Sequence, residues 1–380
     1  MQPKRLLSLL MCLFLLAPAV LAAPDDTEVD RMFRNAKTVG GSVVVYSRWQ
    51  LVYARDYGVK NVRQEPVDAD TFFRTASITK MVTGVGLMTL VEQGKLDLDQ
   101  DISAYFGYEI GNSRFGRVPI TLRQLMSHTS SLRDTGGYSK LNNTVESLLK
   151  KSLKRTANFE NYAPGSQYKY SNFGAGVTGA MMEAVSGQSI HSYMNAAVFS
   201  PLGIQGAYSA SLVPDPGDVS SQFKDGKVSK SGSLSIKDGY EDHADPEDHY
   251  RITIGDLWMR SRDLARLLAL LAGGGELDGV RLLSVDSLQQ MMAQQDALQA
   301  SVTGESPYGL FLEHNDTLVK GKMLYGHQGM SSGAILNAYF EPHSQFVIVV
   351  FSNGGSMVRF NRVSKLARAM VGYFWPMYGE

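Results

Sequence analysis

Strand-forming segments stand at the two ends of this 380-residue chain and helix-forming segments fill its middle, which leaves few ways to build one sheet. Near the start, Ser42-Val43-Val44-Val45-Tyr46, a turn through Arg48-Trp49-Gln50, and Leu51-Val52-Tyr53-Ala54 form a hairpin pattern within Gly40 to Tyr57. Near the end, Leu336 to Phe340, the turn Glu341-Pro342-His343-Ser344, and Gln345 to Phe351 read as a second hairpin. Asp26 to Lys37 and Asn361 to Trp375 have helical patterns outside the two hairpins. Between them, Met81 to Gln93, Thr121 to Met126, Val145 to Ser152, Phe173 to Ser186, Ile190 to Phe199, Ile254 to Leu271 and Val285 to Gln295 read helical. Gly94, Gly187 and Gly273-Gly274-Gly275 stop three of these. The simplest assembly pairs the terminal strands. It is an α+β fold, an antiparallel sheet flanked by terminal helices with an inserted all-helical domain. The α/β part then covers about 24–80 and 300–380, and the helical part about 81–299.

The first 23 residues stand apart from this plan. Lys4 and Arg5 precede the apolar run Leu6 to Leu16, Pro18 breaks it, and Val20-Leu21-Ala22-Ala23 supplies small residues, the order of an export signal cleaved after Ala22 or Ala23. A retained anchor is the alternative, but Leu6 to Ala23 reaches spanning length only if Ser8 and Pro18 are tolerated. The chain is therefore expected to be periplasmic or secreted, with no stable membrane span after cleavage. Cys12, the only cysteine, leaves with the signal; a lipid-modified cysteine there is disfavoured by the bulky Met11. The mature chain has no thiol nucleophile and no disulfide. It keeps 35 basic against 37 acidic residues, a net charge of about −2. No basic field exists to hold nucleic acid.

Three motifs carry chemistry. In Phe72-Phe73-Arg74-Thr75-Ala76-Ser77-Ile78-Thr79-Lys80, Ser77 and Lys80 are three apart at a helix start, so both side chains lie on one face. A serine hydroxyl needs a base, and a lysine desolvated among apolar neighbours can have a pKa low enough to serve. Alone, this pair occurs by chance in most chains of this size and reads first as a helix cap with a surface lysine. Pro164-Gly165-Ser166-Gln167-Tyr168-Lys169-Tyr170-Ser171-Asn172 puts Tyr170 and Asn172 on an exposed loop before a helix, a phenol for proton transfer and a carboxamide for a substrate amide, or else a buried tyrosine with a capping asparagine. Leu324-Tyr325-Gly326-His327-Gln328-Gly329-Met330-Ser331-Ser332-Gly333 reads as a glycine-rich strand edge that approaches a ligand, with His327 pointing into a cleft.

In this order, the three motifs resemble the serine β-lactamase-like and penicillin-binding-protein-like family, which includes class C β-lactamases, DD-peptidases and esterase relatives. Leu125-Met126-Ser127-His128-Thr129-Ser130-Ser131-Leu132, Ser200-Pro201-Leu202-Gly203-Ile204 and Ser261-Arg262-Asp263-Leu264-Ala265 support the resemblance, which covers most of residues 28 to 375. It implies that Ser77 is the nucleophile, Lys80 its proton acceptor and Tyr170 a second proton-transfer group whose pKa the lysine lowers. It further implies that Asn172, His327 and Gly329 bind substrate, and that the main-chain N–H groups of Ser77 and Met330 form an oxyanion hole. True β-lactamases carry lysine at the His327 position, so His-Gln-Gly argues against β-lactam hydrolysis.

The implied reaction is acyl transfer to water through a serine acyl-enzyme, with no cofactor. The first expected substrate is a D-alanyl peptide of cell-wall type, peptidoglycan fragments included. A carboxylesterase or lactonase is the alternative, and a β-lactamase or slowly turning-over penicillin-binding sensor a second. If the substrate carries a carboxylate, titration of His327 should raise KM between about pH 6 and 8. His128 reads as structural. Asp238 to Asp248 holds six carboxylates beside His243 and His249 and reads as a solvated loop. Asp242, Asp245 and Asp248 with the two histidines show no hard-cation loop geometry, and no metal is expected.

Overall fold

The computed structural model describes residues 23–380 except 117, 135–136, 141–142, 152–155, 231–241, 295–307, 357 and 361–362. The export segment with Cys12, part of the acidic stretch (238–241), and positions 152, 295 and 361 at the ends of expected helices lie outside the described residues. Among the described residues no helix is long and apolar enough to cross a membrane.

Helix α1 (Asp26–Asn35) leads into strands β1 (Gly40–Ser47) and β2 (Gln50–Gly58), and β3 (Phe72–Arg74) runs into α2 (Ile78–Glu92). Further on come α3 (Asn172–Ser186), β4 (Gly206–Ala207), β5 (Trp258–Arg260) and α4 (Ser261–Ala272). The chain closes with β6 (Glu313–Asn315), β7 (Leu324–Ser331), β8 (Ala334–Glu341), β9 (Phe346–Ser352) and α5 (Lys365–Tyr378). The principal sheet has the order β6-β7-β8-β9-β1-β2 and is antiparallel throughout. Its centre joins the two ends of the chain, with β1 on β9 in register from Gly41 opposite Ser352 to Tyr46 opposite Val347. The β1–β2 turn sets both Arg48 (φ 49°) and Trp49 (φ 66°) left-handed, as a two-residue hairpin matching strand twist requires.

Both faces of this sheet are covered, which explains the unbroken run Val43-Val44-Val45. Val44, Val349 and Phe351 join the core under α2, α3 and α4, whereas Val43, Val45, Ile348 and Val350 pack with Val29 and Phe33 of α1 and Met370 and Phe374 of α5. Each such side chain, fully buried, contributes about 1.5–3 kcal/mol.

Two expectations about the middle of the chain need correction. Ile254 to Leu271 is not one helix: Ile252–Gly255 makes a single turn, β5 follows, and α4 begins at Ser261. β5 pairs with β3 and β4 in a separate small sheet; its apolar Trp258 and Met259 extend the helical periodicity by coincidence of spacing. The expected helical part, about 81–299, also holds a helix that packs on the principal sheet. Ser261 Oγ lies 2.7 Å from Ser42 Oγ on β1, and Arg262 donates to both carboxylate oxygens of Asp56 on β2 at 3.1 and 2.8 Å, so α4 lies on the principal sheet. Ile190 to Phe199 is helical, but it widens into a π turn over Asn195–Phe199.

Candidate active site

The strand-to-helix junction β3–α2 presents Ser77. Pairing of Phe72 opposite Arg260 and Arg74 opposite Trp258 holds β3, and Thr75 N–H donates to Leu257 O at 2.8 Å. Ala76 then takes φ 48°, a left-handed conformation that costs a non-glycine residue about 1–3 kcal/mol and is tolerated where surrounding contacts impose it. Ser77 follows half-buried, and its side chain makes no capping hydrogen bond, so the helix-cap reading of this serine fails. Helix α2 is buried on all sides from Ile78 to Leu90, so Lys80, one turn into it, is buried. Lys80 Nζ lies 3.4 Å from Ser77 Oγ and donates to Asn172 Oδ1 at 2.9 Å and Ile254 O at 2.8 Å. Burial pushes its pKa down to about 7, against the opposing charges of Asp134, Glu313 and Asp256. At neutral pH a large share of Lys80 is the free amine that can accept the Ser77 proton.

The second motif arrives on the entry to α3. Lys80 Nζ stands 5.1 Å from the centre of the Tyr170 ring, and both Tyr170 and Asn172 are half-buried, not on an exposed loop. Asn172 opens α3, while Ser171 is its cap, accepting from Gly174 N–H at 2.9 Å. Asp134, which no motif singled out, fixes this turn. Its carboxylate accepts from Ser171 Oγ, Asn172 N, Asn172 Nδ2 and Phe173 N, each at 3.0 Å. The bond to Asn172 Nδ2 is what turns Oδ1 of the same amide toward Lys80. His128 is buried against the Tyr170 ring, centroids 4.3 Å apart, and its Nδ1 accepts from Ser171 N–H at 3.3 Å. Burial drives its pKa well below the usual histidine value, so it is a neutral packing partner of Tyr170.

Strand β7 brings the third motif. β6 pairs only with Leu324 to Gly326, which leaves the edge from His327 to Ser331 to face the β3–α2 junction. Contact there is close: a Cβ on Gly329 would lie 2.3 Å from Thr75 O, so only glycine allows this approach. Met330, the other expected oxyanion donor, is the next residue along that edge. Arg74 locks the arrangement, donating from Nε to Gly255 O at 3.0 Å and from Nη1 to Ser331 Oγ at 3.3 Å while pairing with Asp256.

His327 departs from the expectation. It is buried, and both ring nitrogens are engaged: Nε2 lies 2.6 Å from Tyr308 Oη, and Nδ1 lies 2.6 Å from Gln328 O and 3.6 Å from Glu313 Oε1. Burial raises the Tyr308 phenol well above its usual pKa, so it stays protonated and donates to Nε2, leaving the ring proton on Nδ1. Burial also lowers the pKa of His327. The ring is therefore neutral at pH 7 and offers no cation to a substrate carboxylate. Tyr308 and Glu313 lie in no motif, and only the fold shows their role.

The acidic stretch is exposed at Asp242, His243 and Asp248, yet some of its carboxylates are tied to the helical part. Asp242 accepts from Ser189 and Ser192, and Glu247 accepts from Tyr108 Oη at 2.9 Å and Glu146 N–H at 2.7 Å.

A family model described as beta-lactamase matches residues 26–371. Esterase EstB of Burkholderia gladioli is 30% identical over 216 residues, 53% of this chain and 55% of the esterase, so the match spans little more than half of that relative's length. The solved octameric penicillin-binding protein homologue from Pyrococcus abyssi superposes with TM-score 0.69 at 22% identity, covering 93% of this chain and 76% of that one. D-amino acid amidase from Ochrobactrum anthropi SV3 superposes with TM-score 0.67 at 17% identity, covering 92% and 96%. These two likenesses are of fold.

Proposed function

Because the chain belongs to the beta-lactamase family and has the serine hydrolase fold of its members, we propose that it hydrolyses carboxylic esters through an acyl-enzyme on Ser77. The observation that carries this reading is the buried, half-neutral Lys80 amine 3.4 Å from Ser77 Oγ. The free amine takes the hydroxyl proton as Oγ bonds to the ester carbonyl carbon. The oxyanion is met by the N–H groups of Ser77 and Met330. As the C–O bond to the alcohol breaks, the leaving alkoxide takes a proton from Tyr170, which recovers one from Lys80. Water then attacks the acyl carbon, its proton passing to the same pair, and the acid leaves with Ser77 restored.

Ester substrates rank first because the neutral, doubly engaged His327 supplies no fixed charge for a terminal carboxylate. The similarity to esterase EstB points the same way. A second reading, hydrolysis of D-alanyl peptide amides, rests on Asn172 beside the Ser77–Lys80 pair, where its amide can hold a peptide group. On this reading another group must bind the terminal carboxylate. We further assign residues 1–23 to export and the mature enzyme to the periplasm or the medium, on their basic, apolar, small-residue order. The test is a panel of p-nitrophenyl esters, D-Ala-D-Ala peptides, D-aminoacyl amides and a chromogenic cephalosporin, scored for burst and steady state. Steady turnover of neutral esters well above the other three supports the esterase; peptide turnover exceeding ester turnover overturns it.

A further inference from the structure

At the far end of α3 from the active site, a second cluster of chemical groups converges. Glu183, in the last turns of this helix, is buried, yet its carboxylate is fully used. Oε1 accepts from Ile190 N–H at 2.9 Å and lies 3.1 Å from His249 Nδ1, and Oε2 accepts from Asp245 N–H at 2.8 Å. One buried carboxylate thus fixes both the ring of His249 and the backbone of Asp245. The segment between them closes a helical turn, with His249 N–H donating to Asp245 O at 3.0 Å and Asp248 N–H to Asp245 Oδ1 at 3.1 Å. Residues 245 and 249 therefore present their side chains on one side. His243 completes the group, its ring edge-on to that of His249 with centroids 5.3 Å apart.

We propose that His243, Asp245 and His249 form a binding site for a divalent metal ion of zinc type, with water in the fourth position. One ligand atom from each of the three lies within 4.8 Å of the others. A tetrahedral ion with bonds of about 2.0–2.1 Å sets its ligand atoms roughly 3.4 Å apart, so closure needs only side-chain rotation of the exposed His243 and of Asp245. Two imidazoles and one carboxylate suit zinc and its borderline neighbours, whereas calcium and magnesium select oxygen-only sets. The feature that distinguishes this cluster from a surface group of histidines is Glu183. A carboxylate on Nδ1 holds the ring and places its proton on that nitrogen, so that Nε2 keeps the lone pair an ion needs; such a carboxylate is the usual outer-shell partner of a metal-binding histidine. Asp242 and Asp248 add negative charge alongside.

Glu183 is eleven residues from Asn172, about 16 Å along the helix axis, so the ion does not take part in the chemistry at Ser77. Its role is to fasten the turn 243–249 to α3. That turn runs on to Ile254, whose carbonyl accepts from Lys80 Nζ.

Purified protein, stripped with chelator and dialysed against zinc, should retain one zinc per chain by elemental analysis, and cobalt should give the intense visible absorption of a tetrahedral site. Zinc should also raise the melting temperature. His243→Ala, which alters an exposed side chain and leaves the Glu183 contacts intact, should remove the stoichiometric zinc and the cobalt spectrum. Glu183→Gln should weaken zinc binding by about 10- to 100-fold, as loss of an outer-shell partner does. Wild type that retains no zinc, His243→Ala that binds it as well as wild type, or equal displacement by calcium would each overturn the site. None of these readouts depends on the reaction at Ser77.

Discussion

Asp134→Asn separates the two duties that the structure gives this carboxylate. In the wild type, Lys80 has a pKa of about 7, so its neutral fraction, and with it kcat/KM for a neutral ester, should rise about tenfold between pH 6 and 8. Asp134 is the strongest of the charges that favour the ammonium form. Removing its charge lets burial act with less opposition, so the lysine pKa falls and the acid limb moves to lower pH. A fall of one unit leaves only about a twofold gain between pH 6 and 8. The same change weakens the four 3.0 Å hydrogen bonds that cap α3 and aim Asn172, because asparagine is neutral and has one acceptor oxygen. Charge-assisted bonds of this kind contribute about 1.5–3 kcal/mol each, so loss of at least one should lower unfolding stability by about 2 kcal/mol. The assay is kcat/KM for p-nitrophenyl acetate from pH 5 to 9, with urea unfolding of both proteins. An acid limb that stays in place or moves to higher pH in Asp134→Asn would refute the electrostatic account of Lys80.

Lys80→Ala and Tyr170→Phe should each lower kcat more than about tenfold, and the double variant should lose far less than the product, since the two groups share one proton path; multiplicative losses in steady-state kinetics would separate them. Gly329→Ala should cut kcat/KM for esters by about 100-fold or more, because its Cβ, 2.3 Å from Thr75 O, must push the β7 edge and the Met330 donor away from Ser77. Wild-type-like activity in that variant would mean that this edge has no part in the reaction. For carboxylated substrates, KM should change less between about pH 6 and 8 than an ordinary histidine would make it, since burial holds His327 below its usual pKa; a rise across that range as large as an unperturbed histidine gives would restore the charged-histidine reading.

Parts of this site are legible in the amino-acid sequence because they depend on local geometry. Ser77 and Lys80 are one helical turn apart, and a helix start brings them together wherever it lies. Tyr170 and Asn172 stand at the entry of a helix that glycine spacing marks. The pairing of the chain ends follows from where Val-rich segments stand. What the sequence hides depends on long-range contact. Asp134 reaches the start of α3 from a loop 38 residues earlier. Tyr308 and Glu313 meet His327 only after β6 folds onto β7, and that burial turns a histidine expected to titrate near its usual value into a neutral ring. β5 shares the helical pattern of its neighbours because three residues are too few to show a period of two.

The central claim is that Ser77 carries the acyl group. Incubation with a fluorophosphonate, followed by intact-mass measurement and peptide mapping, tests it directly. The account predicts one adduct per chain, located on Ser77, formed faster as pH rises through about 7 and absent in Ser77→Ala. An adduct on another residue, or labelling of Ser77→Ala at the wild-type rate, would contradict it.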